Sequence, residues 1–234
     1  MCHYVMEFQQ SCDPKVEKPI MIAAMQDMGD VGSIVMNFIN RSLRTKPFRD
    51  IKLEYPSYVI DKRGYIEAPL EKWEYRYTED MILFGGGRGQ PQRGDELNTV
   101  CQDVIDVAKK HAVKLIYTVG GMRTDRVSQG LPKTYVTATA RHLTEQIHDI
   151  GIESAPQKSI IIGFNGVILG YAKINGIHGI GVYGELNDPG KPQYRTAISI
   201  IKTLEKLTYR KIGNTSSLEL MAQRVDKRFG DSSR

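Results

Sequence analysis

The segment from Ile20 to Arg44 constrains the fold of this chain most strongly, because it predicts a strand, a tight loop and a helix in direct succession. Its first five residues form a short apolar run of the kind found in buried strands. Residues 25–30 break this pattern with polar residues and Gly29, so the chain is expected to turn there. Apolar side chains then recur at helical spacing, and Asp30 is placed to cap the first free amide groups of that helix.

The loop of this unit is a candidate binding site. In an open α/β fold it lies at the carboxyl edge of the sheet, where the amide groups of a helix N-terminus can receive an anion or a partner's carboxylate. The candidate residues are Asp27, Gly29, Asp30 and Gly32. The alternative is that the glycines only allow a tight turn and close packing of the helix on the strand. The GxGxxG spacing of a dinucleotide site and the Lys-Ser/Thr pair of a P-loop are both missing.

Composition restricts the class of protein. A chain of 234 residues with 41% hydrophobic content can bury one ordinary core. We expect one domain over residues 18–230, an N-terminal extension over 1–17, either a strand or flexible, and a short tail over 231–234. The net charge is +5, but basic and acidic residues are interspersed, so no nucleic-acid partner is expected.

Targeting signals and cysteine patterns give the expected compartment. The three cysteines form no CxxC pair, which disfavours a disulfide framework or a zinc knuckle. The first residues lack the pattern of a signal peptide, and no apolar stretch approaches the roughly 18 residues of a membrane span. We therefore expect a cytoplasmic protein without a membrane partner.

Strand and helix patterns alternate along the rest of the chain. Apolar runs that predict strands lie at Asp80–Phe84, Lys114–Val119 and Ile177–Tyr183, with a further apolar run at Ser159–Ile162. Helices are predicted from Leu97 to His111, along the face formed by Val136, Ala140, Leu143, Ile147 and Ile150, at Gly166–Ile174, after Pro192, and at Ser216–Phe229. The alternation predicts an α/β fold with a mostly parallel sheet flanked by helices and a C-terminal helix.

Residues 48–77 interrupt this alternation. They mix β-branched and aromatic residues with charges across several turns, which predicts a strand annex. Its Trp73–Tyr77 segment, WEYRY, alternates aromatic and charged side chains as a half-exposed strand does. The aromatic residues are expected to cover either an oligomer interface or the chain's own core.

Several further loops contain glycines and candidate binding residues. Residues 85–94 are most similar to a phosphate cradle, although a purely structural loop would also use such glycines. The candidates outside the first loop are Gly87, Arg88, Gln90, Gly120, Gly121, Asn165, Gly166 and Glu185. The histidines are isolated or lie on different helix faces, and no Ser or Cys lies in a nucleophile elbow. No catalytic residue, metal or cofactor is therefore predicted.

These segments resemble the proteasome assembly chaperone 2 family, in particular its archaeal homologues. The matching motifs are MGDVGSIV after the first strand, a glycine loop that reaches Gln90-Pro91, IYTVGG at 116–121, and FNGVILGYAKINGIHGIGVYGE at 164–185. The resemblance covers most of residues 18–230, and its last segment is the most specific.

The resemblance implies a single α/β domain similar to the nucleoside phosphorylase fold, which forms homo-oligomers and has no established catalysis. It also implies binding to proteasome α subunits, which aids assembly of the core particle. The chain departs from the family pattern with MQD before Gly29, extra Arg and Gly in residues 85–94, and GELNDPG in place of Gly-Glu-Thr-Pro. It ends in RFGDSSR instead of a hydrophobic-Tyr-X tail, so docking is expected to use the body of the domain or the last helix.

Two functions are therefore open at this point. The first is a non-catalytic, proteasome-assembly-chaperone-like homo-oligomer that binds proteasome α subunits. The second is a binding protein or enzyme for a nucleotide or another phosphorylated small molecule. That ligand would use the loops after Ala24, Phe84 and Val119, which are expected at one edge of the sheet.

Overall fold

The computed structural model of the protein describes residues 6–53, 59–155 and 158–230, which build a mixed sheet with helices on both faces. The strands are β1 (Met6–Gln10), β2 (Ile20–Ala23), β3 (Lys46–Leu53), β4 (Ile60–Asp61), β5 (Ile66–Glu67), β6 (Glu71–Tyr77), β7 (Met81–Gly86), β8 (Leu115–Arg123), β9 (Thr134–Ala138), β10 (Glu153–Ser154) and β11 (His178–Leu186). The helices are α1 (Val31–Ser42), α2 (Gly94–Lys110), α3 (Arg141–Asp149), α4 (Phe164–Ile174), α5 (Tyr194–Thr208) and α6 (Ser216–Gly230).

The sheet combines a parallel centre with antiparallel flanks. The strand order is β1-β3-β6-β7-β2-β8-β11-β9-β10, and β4 pairs with β5 in a separate hairpin. Strands β7, β2, β8 and β11 are parallel. On one flank β1, β3, β6 and β7 pair antiparallel, and on the other β9 pairs antiparallel with β11. The predicted α/β fold is confirmed, and its parallel sheet corresponds to the central four strands.

The core consists of two layers, one on each face of the sheet. Strand β2 shows how the strand period creates them, because Met21 packs with α2 and α4 on one face while Ile22 packs with α1 and α5 on the other. Both side chains are fully buried. A short strand buried on both faces explains why this stretch is apolar without alternation.

The predicted annex is part of the main sheet. Strands β3 and β6 extend the sheet beyond β7, whereas the β4–β5 hairpin stays outside it. Trp73 and Tyr75 of β6 are 1% and 0% exposed and belong to the core beside α2, so the WEYRY aromatics cover the chain's own core. The end of the strand predicted from Phe48 to Tyr58 lies in residues 54–58, outside the described residues.

One prediction of secondary structure is wrong in this part of the chain. Val136 lies in β9 and not in the predicted helix, because the segment TYVT is rich in the β-branched and aromatic residues that favour a strand. The apolar run Ser159–Ile162 forms neither a strand nor a helix, and Ile160 is 89% exposed. Apolar character alone therefore did not indicate burial there.

Strand ends also differ from the prediction. Strand β8 continues through Gly120 and Gly121, and β11 continues through Glu185, so these residues lie within the sheet and not in loops. Strand β1 falls in the predicted N-terminal extension and pairs with β3. The first five residues of that extension and the predicted tail 231–234 lie outside the described residues. In the part of the chain that the structure describes, no helix is long and apolar enough to cross a membrane.

Candidate functional site

Asp27 lies in the loop between β2 and α1 and joins two elements. Its Oδ1 accepts a hydrogen bond from the backbone N–H of Gly32 at 2.7 Å, in the first turn of α1. Its Oδ2 accepts one from the N–H of Gly121 at 2.6 Å, in β8. The carboxylate therefore fixes the N-terminus of α1 against the neighbouring parallel strand.

The predicted helix cap at Asp30 is wrong. The side chain of Asp30 makes no capping hydrogen bond, and its φ of 54° places it in the left-handed region. Its Oδ1 instead accepts a hydrogen bond of 2.7 Å from the side chain of Gln26. Asp27, three residues earlier, supplies the acceptor that the first turn of α1 needs.

The environment of Asp27 perturbs its ionisation. Burial raises the pKa of Asp27 to about 6, although the hydrogen bonds from Gly32 and Gly121 act in the opposite direction. The nearby charge of Asp30 raises the pKa further. A carboxyl group that titrates near neutral pH marks a candidate functional site. An external anion at the N-terminus of α1 would have to displace this carboxylate.

Glycines allow the close approach of the chain at this edge. A Cβ at Gly32 would lie 2.2 Å from the carbonyl oxygen of Met25, and one at Gly120 would lie 2.8 Å from Oδ2 of Asp27. Gly29, with a φ of 68°, donates its N–H to the carbonyl of Pro189 at 2.9 Å. The candidate glycines Gly29, Gly32 and Gly120 therefore serve the geometry of the chain itself.

Two amide side chains hold the end of β2 against α4. Gln90 donates from Nε2 to the carbonyl of Gln26 at 2.6 Å, and its Oε1 accepts the N–H of Phe164 at 2.7 Å. Asn165 accepts the N–H of Met25 at 2.8 Å and donates to the carbonyl of the same residue at 3.1 Å. Residues far apart in sequence thus form one hydrogen-bonded network around the β2–α1 loop.

A cavity of about 490 Å³ opens beside this network. It brings together five of the predicted site residues: Asp27, Gln90, Gly120, Gly121 and Asn165. Its other lining residues are Met28, Met122, Arg123, Tyr135, Val136, Thr137, Ala138, Thr144, Ser154, Ala155, Lys158, Ser159, Ile160, Ile161, Ile162 and Tyr183. The volume is in the range of about 300–1,000 Å³ typical of small-molecule sites.

Gly87 and Arg88 of the glycine loop after β7 do not reach this cavity. The N–H of Arg88 donates to Oε2 of Glu71 at 2.9 Å, and the Arg88 side chain is exposed. A Cβ at Gly87 would lie 2.6 Å from the same carboxylate oxygen. Gly87 and Arg88 therefore shape a turn that packs on β6, while Gln90 is the residue of this loop that lines the cavity.

Glu185 and Gly166 also lie outside the set of cavity-lining residues. Oε2 of Glu185 accepts the N–H groups of Ser128 and Lys133 at 2.9 and 3.1 Å, and Oε1 accepts the hydroxyl of Tyr135 at 3.0 Å. Burial raises the pKa of Glu185, but these hydrogen bonds outweigh it, so that the pKa is lowered. Glu185 therefore organises the 127–133 segment.

Gly166 is needed for close packing, because a side chain at this position would collide with the preceding segment. It lies in the first turn of α4, and a Cβ there would lie 2.7 Å from the carbonyl oxygen of Ile161. Gly166 thus lets the segment that precedes α4 fold back over the first turn of the helix.

Sequence reasoning missed Tyr183 as a site residue. The register pairs Tyr183 of β11 with Gly120 of β8, and the tyrosine hydroxyl donates to the carbonyl of Asn165 at 2.8 Å. The sequence contains a signal for this arrangement, because an aromatic side chain opposite a glycine on the neighbouring strand has space to lie over that glycine. Sequence alone does not give the register that places Tyr183 opposite Gly120.

The polar side chains Tyr183 and Asn165 of the site bond to the chain itself. Tyr183 and Asn165 are hydrogen-bonded within the chain, and the thiol of buried Cys101 lies in the core beside α4 and not at the cavity. Among the described side chains, no group of three or more His, Cys, Asp and Glu residues could hold a metal ion. The chain's own contacts thus leave Asp27 as the titrating group of the site.

Comparison with known proteins places this geometry in a family. The sequence profile of the PAC2 family matches residues 21–231. An uncharacterised protein of Methanocaldococcus jannaschii, MJ1210, is 22% identical over 173 residues, which cover 73% of this chain and 66% of that relative. The match therefore spans slightly less than two thirds of the relative's length.

Solved structures share the fold across almost the whole chain. Pyrococcus furiosus PbaB, described as an archaeal proteasome activator, has a TM-score of 0.83 at 20% identity and covers 98% of this chain and 99% of its own. Pyrococcus furiosus PbaA, described as an archaeal homologue of proteasome-assembly chaperone, has a TM-score of 0.77 at 16% identity, with 96% and 94% covered. At these identities the likeness shows the fold alone. The profile match, which extends over nearly the full chain, shows that the protein belongs to the PAC2 family.

Proposed function

We propose that this protein is a non-catalytic, proteasome-assembly-chaperone-like protein that forms homo-oligomers and binds proteasome α subunits. The observation that carries the proposal is the likeness of 98% and 96% of the chain to PbaB and PbaA, the proteasome activator and the chaperone homologue. Membership of the PAC2 family supports it. A cytoplasmic location and the likeness to nucleoside phosphorylases stay predictions.

An exposed isoleucine segment supports the homo-oligomer. Ile160 and Ile162 are 89% and 80% exposed, and Ile161 between them is 38% exposed. Runs of exposed apolar side chains are uncommon on monomeric proteins, and permanent interfaces between copies are more apolar than transient ones. We therefore assign Ile160 and Ile162 to the contact between two copies of this chain.

The last helix is the proposed docking surface for α subunits. Leu220 and Met221 of α6 are 58% and 37% exposed, and Arg224 lies one turn further along the same helix. Methionine and arginine are enriched at protein–protein interfaces relative to the rest of the surface. This surface does not require a C-terminal tail.

Co-purification tests the docking proposal. We expect the α subunit of the same organism to be retained by the full chain, with weaker retention by a variant that combines Leu220→Asp and Met221→Asp. Ile66→Asp is the matched control, because Ile66 is also exposed, at 56%, but lies in the separate hairpin. Loss of retention by the wild-type protein at every salt concentration would contradict α-subunit binding.

Light scattering after size-exclusion chromatography tests the homo-oligomer separately. The wild-type protein is expected at a multiple of its 26.4 kDa chain mass. Replacing Ile160 and Ile162 with Asp is expected to lower that mass, whereas Ile66→Asp is expected to leave it unchanged. A wild-type mass equal to one chain would contradict self-association.

The alternative function, binding of a nucleotide or phosphorylated ligand, has less support. The N-terminus of α1, its best anion site, is already occupied by the carboxylate of Asp27. We expect no thermal stabilisation by nucleotides, nucleosides or sugar phosphates, whereas a bound ligand at 100 times its dissociation constant would add about 2.7 kcal/mol. A clear shift with one of these ligands would favour the alternative.

A further inference from the structure

The floor of the Asp27 cavity offers the hydrogen-bond acceptors of a carboxylate. Each carboxylate oxygen of Asp27 accepts one backbone N–H and can accept a second hydrogen bond. Among the donors nearby, the hydroxyl of Tyr183 already donates to the carbonyl of Asn165, and one of the two N–H groups of the Gln90 side-chain amide donates to the carbonyl of Gln26. A ligand that donates hydrogen bonds therefore matches the carboxylate at the floor.

The wall of the cavity is largely apolar. Met28, Met122, Val136, Ala138 and Ile161 contribute to it. An apolar wall beside a carboxylate strengthens the attraction of that carboxylate for a cation, because water competes less there. The volume of about 490 Å³ accommodates a small organic molecule rather than a bare metal ion.

Two basic residues lie among the exposed lining residues. Arg123 is the last residue of β8, and Lys158 lies in the segment before α4. Within residues 6–53, 59–155 and 158–230, neither side chain takes part in one of the salt bridges found in the structure. The cavity thus combines a carboxylate floor with a basic outer part.

We propose that this cavity binds a small organic amine, whose ammonium group lies on Asp27 and whose apolar body lies against the wall. An amine that also carries a carboxylate at its far end gains a second contact, with Arg123 and Lys158. Phosphate is excluded from the floor by the ionised carboxylate, because no cation on the floor would offset the repulsion. The proposal goes beyond the proposed function and does not rest on it.

The ionisation of Asp27 makes amine binding dependent on pH. The charged or titratable groups that face it are Asp30 on its own loop, Tyr183 of β11, Tyr135 of β9, and Arg123 and Lys158 at the outer part of the cavity. Burial raises the pKa values of Tyr183 and Tyr135, so both stay neutral near pH 7, and no histidine is among the described lining residues. Lowering the pH below the Asp27 pKa of about 6 removes the charge that attracts the amine.

Nuclear magnetic resonance can follow binding at the proposed atoms. The backbone amides of Gly32 and Gly121 donate to Asp27 and report directly on its carboxylate. The probes are n-pentylamine, its isosteric alcohol 1-pentanol, pentanoate, 5-aminopentanoate and inorganic phosphate. At about pH 8, n-pentylamine is expected to shift both amides saturably and to bind at least about tenfold more tightly than the alcohol, pentanoate or phosphate.

The pH dependence needs no variant. With an Asp27 pKa of about 6, the affinity for n-pentylamine is expected to fall about tenfold between pH 8 and pH 5. Tighter binding of 5-aminopentanoate than of n-pentylamine would support the contact with Arg123 and Lys158, and equal binding of the two would overturn that second contact.

Four outcomes would overturn amine binding itself. They are equal binding of amine and alcohol, unchanged affinity at pH 5, preferred binding of phosphate, and no binding of any amine.

Two matched variants complete the test. Asp27→Asn is expected to abolish selective amine binding, whereas Asp30→Asn is expected to retain it, because Asp30 does not line the cavity. The amide spectrum of Asp27→Asn checks that the variant is folded. If Asp27→Asn does not fold, the pH dependence of n-pentylamine binding to the wild-type protein tests the proposal instead. Retained amine selectivity in folded Asp27→Asn would contradict the proposal.

Discussion

Asp27 and Glu185 are both held by backbone amides at the same edge of the sheet, yet their pKa values move in opposite directions. Burial raises the pKa of Asp27 to about 6 despite two N–H donors, whereas two N–H donors and the hydroxyl of Tyr135 lower the pKa of Glu185 despite its burial. Glu185 is 5% exposed but lies close to the protein surface beneath the 127–133 segment. Asp27 has more protein around it and faces the cavity.

Because of this difference, we assign a structural role to Glu185 and a binding role to Asp27. Glu185 has enough donors for its charge, so its ionised form stabilises the fold. Asp27 has acceptor capacity left over and an ionised form that burial disfavours. A buried charge with unused hydrogen-bonding capacity beside a cavity is the arrangement that a bound cation would complete.

The largest expected effect concerns the pH dependence of stability at Asp27. Its folded pKa lies above the unfolded value, so its ionisation reduces stability as pH rises through the window from about 4 to 6, by about 3 kcal/mol in total. Asp27→Asn removes this contribution. Urea denaturation across pH is therefore expected to show the free energy of unfolding of the wild-type protein falling relative to that of the variant. Parallel pH profiles would contradict the assignment.

A somewhat smaller effect of opposite sign is expected at Glu185. Its folded pKa is lowered, so its stabilisation is present above its unfolded pKa and is lost as pH falls through the folded pKa. Glu185→Gln is expected to reduce the free energy of unfolding at pH 7 by about 2 kcal/mol, because hydrogen bonds to a charged acceptor are lost. The deficit should shrink in acid. A deficit that stays constant down to pH 3 would mean that charge is not involved.

Removing one donor from Glu185 tests why the two carboxylates differ. Tyr135→Phe deletes the hydroxyl that donates to Oε1 at 3.0 Å. We expect a loss of about 1 kcal/mol and a pKa of Glu185 closer to its ordinary value. Carbon-13 resonances of the carboxyl group measure the pKa, and urea denaturation measures the loss. An unchanged Glu185 pKa would show that the backbone donors alone set it.

The smallest effect is expected from the neighbouring charge. Asp30→Asn removes a negative group that raises the pKa of Asp27, and Asn tolerates the left-handed φ of 54° at this position. We expect the pKa of Asp27 to fall by a fraction of a unit, equivalent to about 0.3 kcal/mol. A fall that returns the pKa to its ordinary value would make charge repulsion, and not burial, the main cause.

Much of the fold could be predicted because its signals are local. The β2 apolar run, the glycine loop and the helical spacing of α1 are close together in the sequence, and the structure confirms all three. The antiparallel flank could be anticipated from the mixed aromatic and charged pattern of β6. Strand β9 could not be predicted in the same way, because Val136 also continues the helical spacing of Ala140 and Leu143.

The site itself depends on contacts that no local pattern contains. Asp27 and Asp30 are both acidic residues in the same loop, and ordinary capping preference favours Asp30. Asp27 takes that role because β8 brings the N–H of Gly121 to its other oxygen, 94 residues away in sequence. The cavity likewise needs β9 and the segment before α4, neither of which was expected in its observed form.

The pH titration of the Gly32 and Gly121 amide resonances in the ligand-free protein measures the ionisation of Asp27 directly. Both amides donate to its carboxylate, so both are expected to shift with one common midpoint near pH 6. Asp27→Asn should abolish this transition, and Asp30→Asn should keep it. A midpoint near the ordinary aspartate pKa of about 3.9, or the absence of a shared transition, would contradict the claim that burial at the cavity floor disfavours the charged form of Asp27.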